Sequence, residues 1–405
     1  MKILLVNKFH WMKGGSETYY FGLGKMLKEH GHEVAYFSMK DEKNIKTGDK
    51  EYFVEASDMN SKNITKALSV IYNKKNKKVM EEALDDFKPD IVHLNNFQRQ
   101  LSASIIEPCI KRNIPIVFTA HDVQAICPAI LMMDSNKKIC EDCMHHKYKN
   151  CVKKKCIKSS KLKSILGAYE NRYYYKHKIY TDKINYIITP SNFYKGKFIE
   201  DGIDKNKIDY IHNFIDMNEY DIETEDNGYA LYFGRLSREK GILNLINAFA
   251  KTKKGNLYIA GTGPEEDEIK RIIKENKIED RVKLLGFLNK DEMKDVTRKA
   301  RFIIIPSIWY ENCPYSAIET QAIGKPIIGA NIGGIPELIL DKENGLIYKC
   351  DDIDELTNKL NIMFKDDELV KEYSKNAKEY AKKEYSKDSY YEKLINIYNE
   401  VKENK

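Results

Sequence analysis

No stretch of this 405-residue chain approaches the roughly 20 consecutive apolar residues of a membrane-spanning helix, so no such helix is expected. The opening residues, Met1-Lys-Ile-Leu-Leu-Val-Asn7, hold one Lys, a short apolar run and no small-residue cleavage site before Lys8. That pattern reads as a strand and not as a secretory leader, which makes a soluble or peripheral cytoplasmic protein the expectation. A large excess of one charge is also missing. The 68 basic and 61 acidic residues leave a net +7, too small and too evenly mixed to point to nucleic acid. Gly14-Gly15 does not extend to G-x-G-x-x-G, so no NAD-type site is read there, and no convincing paired-Asp metal motif occurs. Disulfides are not expected without a leader.

What is present is a globular composition, 42% hydrophobic and 32% charged, over a length too great for one ordinary core. Two domains of similar size are the natural partition. The first half reads as strand Ile3–Val6, a loop ending in Gly14-Gly15, a helix carrying Tyr20, Leu23 and Leu27, and strand Glu33–Phe37. Residues 40–78 read as a polar surface excursion with a helical Ile64–Tyr72 inside it. Strand Pro89–His93, helix Leu101–Ile110 and strand Ile114–Thr119 follow, and the last places His121-Asp122 at its carboxyl end. Ile184–Thr189 and Ile208–Ile211 complete the strands of this half.

The acidic, turn-rich stretch around 214–228 is the expected linker. Strands are then expected at Tyr229–Phe233, Asn256–Ala260, Val282–Leu285, Phe302–Ile305 and Ile327–Ala330, with helices between them. Glu343-Asn344-Gly345 reads as a hairpin-like turn into a short strand, and the chain from Ile353 on reads as charged helices.

The second half turns on Glu311-Asn-Cys-Pro-Tyr-Ser-Ala-Ile-Glu319, which leaves a buried strand and enters a helix. Acidic groups beside helix-start amides suit the binding of sugar hydroxyls, ribose and phosphates. With Gly14-Gly15-Ser16-Glu17, His121, Gly234-Arg235-Leu236, Lys240-Gly241, Gly261-Thr262-Gly263-Pro264 and Gly333-Gly334-Ile335-Pro336-Glu337, in that order, the chain resembles the retaining, nucleotide-sugar-dependent glycosyltransferases of family 4.

The resemblance implies an α/β GT-B fold, with two Rossmann-like parallel-sheet domains facing across a cleft. It places an acceptor-side domain at 1–213, the linker at 214–228, a nucleotide-sugar domain at 229–372, and C-terminal helices at 373–405. The last of these packs back on the first domain. It implies transfer of a hexosyl residue from a UDP- or GDP-linked sugar to a glycan or polyprenyl-diphosphate-linked acceptor in surface polysaccharide biosynthesis, with no catalytic metal and no nucleic acid.

Carried residue by residue, the resemblance sets Arg235 and Lys240 against the donor diphosphate, as a forked guanidinium and a point charge. It sets Glu319 on the ribose and Glu311 beneath the transferred sugar. His121 is a sugar or diphosphate contact whose ordinary pKa allows either protonation state. Gly14, Gly15, Gly234, Gly263, Phe287, Asn312, Tyr315 and Ser316 are the remaining donor-binding candidates. Gly14 serves equally well as a tight strand-to-helix turn, and Asn312-Cys-Pro-Tyr departs from the more common Gly-Phe-Gly. Pro314 leaves a gap in the local row of amides.

Residues 127–163 form an insertion with five of the eight cysteines and, from Lys147 to Lys163, eight lysines. Cys140-x-x-Cys143 with Cys151 and Cys156 is compatible with one structural zinc. The competing reading is free cysteines buried as small apolar residues. The lysines and nearby tyrosines suit an anionic membrane surface, at the inner face of the plasma membrane, or simply a solvated face. A nucleotide-sugar-binding protein without transfer activity and a zinc-bearing basic interaction module are the two alternatives from other functional classes.

Overall fold

Short, continuous runs of β-branched and apolar residues build two parallel sheets, because a strand covered on both faces has no polar side to alternate with. The computed structural model describes residues 1–403; Asn404 and Lys405, at the end of the expected C-terminal helices, lie outside the described residues, as does the side chain of Ile64. The chain divides into two compact units, Met1–His212 with the chain from Tyr390 on, and Asn213–Ser389.

In the first unit the strands are β1 (Lys2–Val6), β2 (Glu33–Met39), β3 (Lys50–Val54), β4 (Ile91–Leu94), β5 (Ile116–Thr119), β6 (Tyr186–Thr189) and β7 (Ile208–Tyr210). They lie in the order β3-β2-β1-β4-β5-β6-β7, every pair parallel. Ile3, Leu4, Leu5 and Val6 of β1 are completely buried. The second unit has β8 (Tyr229–Phe233), β9 (Asn256–Ala260), β10 (Val282–Gly286), β11 (Phe302–Ile305), β12 (Ile327–Asn331) and β13 (Gly345–Lys349). Their order is β10-β9-β8-β11-β12-β13, again all parallel. In both sheets the order reverses beside the first strand, and the loops leaving the strand ends at such a reversal are where ligands bind in open α/β sheets.

Three expectations need correction. Residues 40–78 are not only a surface excursion: β3 extends the sheet by pairing Ala35–Met39 with Lys50–Val54. The helix inside it is short, Ile64–Leu68, and a longer helix, Lys74–Phe87, follows with Met80, Ala83, Leu84 and Phe87 buried. Leu101–Ile110 is a 3₁₀ turn at Ala103–Ile105 running into helix Ile106–Lys111, since Ser102 caps the turn through the Ser104 amide. Glu343-Asn344-Gly345 leads into no hairpin, because β13 runs parallel to β12.

Residues 213–228 are packed on the second unit. Ile215 and Tyr220 sit in its core, and the Glu225 and Asn227 amides donate to the Arg298 and Lys299 carbonyls. The last helix, Lys387–Glu403, buries Tyr390, Leu394, Ile397, Tyr398 and Val401, and from Tyr390 on it belongs to the first unit. Tyr390 shares a hydroxyl hydrogen bond with Tyr19 at 2.5 Å, and Tyr398 bonds His93 Nδ1 at 2.5 Å. The expected return of the final helix is therefore present.

Candidate functional site

The second unit gathers most of its candidates at the carboxyl ends of β8 and β11, neighbours in the sheet. After β11 the chain turns through Ser307–Tyr310, and the turn brings its own side chains back onto Glu311. Lys240 Nζ donates to Glu311 Oε1 at 2.7 Å, Ser307 Oγ donates to it at 2.7 Å, and Trp309 Nε1 donates at 2.9 Å. Glu311 is only 5% exposed. A buried carboxylate is tolerable when it is paired and hydrogen-bonded, and this one receives three donors on a single oxygen. The Lys240 ammonium also lies 5.1 Å from the Trp309 ring centroid.

Backbone contacts fix the two loops. Ile308 N–H donates to the Glu239 carbonyl at 3.0 Å, and Gly334 N–H donates to that of Glu311 at 2.8 Å. Gly333 has φ +58°, and a Cβ there would stand 2.5 Å from the Glu311 carbonyl oxygen. Gly263 is similarly tight, since its Cβ would meet the Leu236 carbonyl oxygen at 2.2 Å. Its visible task is this close approach, which holds the Gly234–Lys240 loop. Arg235 stands exposed on that loop beside exposed Gly234, and among the described residues its guanidinium has no carboxylate partner.

Glu319 lies on helix Tyr315–Ile323 and accepts from Tyr220 Oη at 2.9 Å. Burial raises its carboxyl pKa, while the Tyr220 bond and Lys290 and Lys294 oppose the rise. It does not bond Lys240 or Glu311. Asn312, Tyr315 and Ser316 are half-buried in the loop and first turn between the two glutamates. Phe287, just past β10, is 78% exposed, an aromatic face open to solvent.

The first unit holds Gly14, Gly15 and His121. Gly15 opens helix Gly15–Glu29 with Gly14 as its N-cap. His121 follows β5; its Nε2–H donates to Asn95 Oδ1 at 3.0 Å, and its ring meets that of Tyr19 edge-on at 4.7 Å. Burial first, then the Lys8 charge, lowers the His121 pKa to about 3, so the ring is neutral. Beneath it, burial lowers His93 to about 3 as well, with His121 contributing. His93 bonds Thr119 Oγ1 at 2.8 Å, and Thr119 in turn bonds Tyr19 at 3.1 Å.

Several polar residues around these candidates were not site candidates in the sequence, Glu17 entering only as the end of the Gly14-Gly15-Ser16-Glu17 motif. Glu17 is 2% exposed and accepts from Asn7 Nδ2 at 3.1 Å and Ser16 Oγ at 2.9 Å. Burial lowers the Lys8 amine, against the pull of Asp122 and Glu17. Asn7 and Lys8 follow β1, and Asn95 follows β4. A polar residue just past an apolar parallel strand was the available signal, and Asn7 and Asn95 both satisfy it. Ser307 and Trp309 carried none, since their role arises only from the turn.

The insertion does not assemble the expected zinc cage. Among the described residues no three His, Cys, Asp or Glu side chains are grouped to hold a metal ion. Cys143 and Cys151 pack instead with Tyr148, Ile157 and Ala168 as small apolar residues, and burial pushes the Cys143 thiol up to about 12. Cys151 and Cys156 hydrogen-bond one another, which lowers Cys156, and Cys140 accepts from Lys154 Nζ at 3.2 Å.

Comparison with known proteins agrees with this layout. Residues 13–219 match the description Glycosyltransferase Family 4, and residues 217–380 match Glycosyl transferases group 1. An uncharacterized glycosyltransferase of Methanocaldococcus jannaschii is 28% identical over 219 residues, 54% of this chain and 60% of the relative. The chain thus spans less than two thirds of that relative's length. An uncharacterized 42.6 kDa protein in the cps region of Klebsiella pneumoniae is 26% identical over 377 residues, 88% of this chain and 91% of the relative. In structure, Anabaena HepE in complex with UDP superposes with a TM-score of 0.72 at 17% identity, over 99% of this chain and all of that one. One family description covers more than half of the sequence and the other most of the rest, over two parallel-sheet units of the GT-B type: the chain belongs to glycosyltransferase family 4.

Proposed function

We propose that the protein moves a hexosyl residue from a UDP- or GDP-linked sugar to a hydroxyl of a glycan or polyprenyl-diphosphate-linked acceptor, with retention of anomeric configuration, in surface polysaccharide assembly. The observation that carries this reading is the buried Glu311 held by Lys240, Ser307 and Trp309, with the unpaired Arg235 on the adjoining loop. Arg235 and Lys240 bind the diphosphate and offset the charge that grows on it as the sugar leaves, so no catalytic metal is required. Glu311 orients sugar hydroxyls and stabilises positive charge at the anomeric carbon. The acceptor hydroxyl attacks on the face that the diphosphate leaves, and a phosphate oxygen takes its proton.

In this reading Glu319 accepts from the ribose, the Gly286-Phe287 segment packs near the base mostly through backbone groups, and the Asn312, Tyr315 and Ser316 segment contacts sugar or phosphate oxygens. Gly234 and Gly263 shape the loop that carries Arg235. In the first unit, neutral His121 and the Gly14-Gly15 turn are the sugar or diphosphate contacts that the family resemblance implies.

A thermal-shift screen of UDP, GDP, ADP and their common sugar conjugates tests it. At a ligand concentration of about 100 times Kd the folded state gains about 2.7 kcal/mol. For a unit of this size that is a rise of roughly 5–10 °C in midpoint. One nucleotide is expected to give such a shift, and Arg235→Ala to abolish most of it. The absence of a shift from every nucleotide would overturn the donor assignment.

A further inference from the structure

The helix Lys161–Lys176 is built inside out. Apart from Tyr174, its inward face is polar or small: Ser164, Glu170 and Asn171 are 0–1% exposed, with Gly167 and Ala168 between them. Its outward stripe, at spacings of three and four, is Leu162, Ile165 and Tyr169, which are 79%, 45% and 58% exposed. An ordinary surface helix would reverse these faces.

The arrangement is fixed from within, so the helix cannot roll to hide its apolar side. Glu170 accepts from the Arg99 amide at 2.9 Å, from Gln124 Nε2 at 3.3 Å and from Tyr174 Oη at 3.3 Å, and faces the Arg99 guanidinium at 3.5 Å. Asn171 Nδ2 donates to the Gln124 carbonyl at 2.6 Å. Turning the helix over would strip these bonds from Arg99 and Gln124 and leave their inward-facing groups without partners.

The stripe continues into its surroundings. Leu162, Ile165, Leu166 and Tyr169 line a mostly apolar cavity of about 580 Å³ with Met59 and with Leu68, itself 52% exposed. A second cavity of about 650 Å³ shares Ile165 and Tyr169 and is rimmed by Lys147, Lys149, Lys153 and Arg172. Between Asp142 and Glu170 the chain has no carboxylate and eight lysines. Among the described residues only Lys154 of these pairs with a carboxylate, Asp142 at 2.7 Å.

We infer that this face docks the protein on an anionic lipid bilayer. Leu162, Ile165, Tyr169 and Leu68 enter the boundary between head groups and acyl chains, while the lysines reach lipid phosphates around them. The lysine belt decides the occupant. A second copy meeting this face with its own would press Lys147, Lys149, Lys153, Lys163 and Arg172 against their counterparts, whereas anionic head groups neutralise them. The inference goes beyond the donor chemistry and does not depend on it.

Co-sedimentation of the full chain with vesicles tests it, using phosphatidylcholine alone and phosphatidylcholine mixed with phosphatidylglycerol, at low and high salt. The protein is expected to bind the mixed vesicles at low salt, to leave them at high salt, and to ignore phosphatidylcholine. The triple substitutions Leu162→Ser/Ile165→Ser/Tyr169→Ser and Lys153→Glu/Lys161→Glu/Lys163→Glu should each weaken binding at least about tenfold. Both triples are expected to keep the wild-type thermal midpoint and nucleotide shift, which separates failure here from failure of the donor reading. No binding to mixed vesicles, equal binding to both compositions, or variants that bind like wild type would overturn the inference. So would self-association that the apolar triple abolishes while wild type ignores vesicles, a result that would assign the face to a second copy.

Discussion

Glu311 Oε1 draws Lys240, Ser307 and Trp309 together, and these donors are not equivalent. Trp309→Phe removes one neutral N–H and should cost about 1 kcal/mol, roughly a fivefold loss in donor affinity. Lys240→Ala removes the counter-charge of a nearly buried carboxylate, so it should lower the unfolding free energy by about 3 kcal/mol as well as abolish turnover. The double variant Lys240→Ala/Glu311→Gln takes away the stranded charge and should recover most of the lost stability with none of the activity. Urea-unfolding midpoints of the four proteins check this. A double variant no more stable than Lys240→Ala would show that the carboxylate is solvated. Glu311, Glu319, Arg235 and Lys240 stood out as candidates because they fall in an ordered set of motifs that resembles family 4. Trp309 and Ser307 did not, because an indole and a hydroxyl are unremarkable in sequence until a turn aims both at one oxygen.

At the scale of elements, the last helix and the first sheet meet through buried hydrogen bonds. His93 on β4 bonds Tyr398 and Thr119, and His121 beyond β5 bonds Asn95. Burial holds both imidazoles at about 3, against an ordinary 6.5 in the unfolded chain. The unfolded state therefore binds more protons between those values, and stability is full above pH 6.5 and falls as the pH drops toward 3. Each histidine contributes a slope of up to about 1.4 kcal/mol per pH unit. Urea unfolding at pH 7 and pH 5 should show a loss of several kcal/mol. His93→Gln should be less stable at pH 7 yet lose about half as much on acidification; an unchanged slope would place the proton uptake elsewhere. The helix was readable because Tyr390, Leu394 and Tyr398 keep its period. Strand β3, Lys-Glu-Tyr-Phe-Val, was not: it sits at the sheet edge with only Val54 fully buried, so it carries little of the apolar signal of an inner strand. Helix Lys74–Phe87 did carry a period in Met80, Ala83, Leu84 and Phe87, masked by the lysines and acids between them.

Across the whole molecule, the residues proposed to bind the nucleotide and those proposed to meet lipid lie in different units. Arg235, Lys240, Glu311 and Glu319 belong to Asn213–Ser389, and Leu162, Ile165 and Tyr169 to Met1–His212. The net charge of +7 conceals this division, because an acid-free run of eight lysines in one unit is balanced by acids spread over the rest of the chain. Hydrogen exchange followed along the sequence separates the two functions. A donor nucleotide should slow exchange at 234–241 and 311–319, whose amides sit in loops and a first helical turn. Anionic vesicles should slow it at 161–169, where the outward face of the helix leaves water. Each ligand opens no new contact for the other set, so with both present the two protections should add. Protection at 161–169 by nucleotide alone would mean that the lysine-rich face takes part in donor binding. The basic insertion would then belong to the chemistry of transfer and not to the placement of the enzyme on a surface.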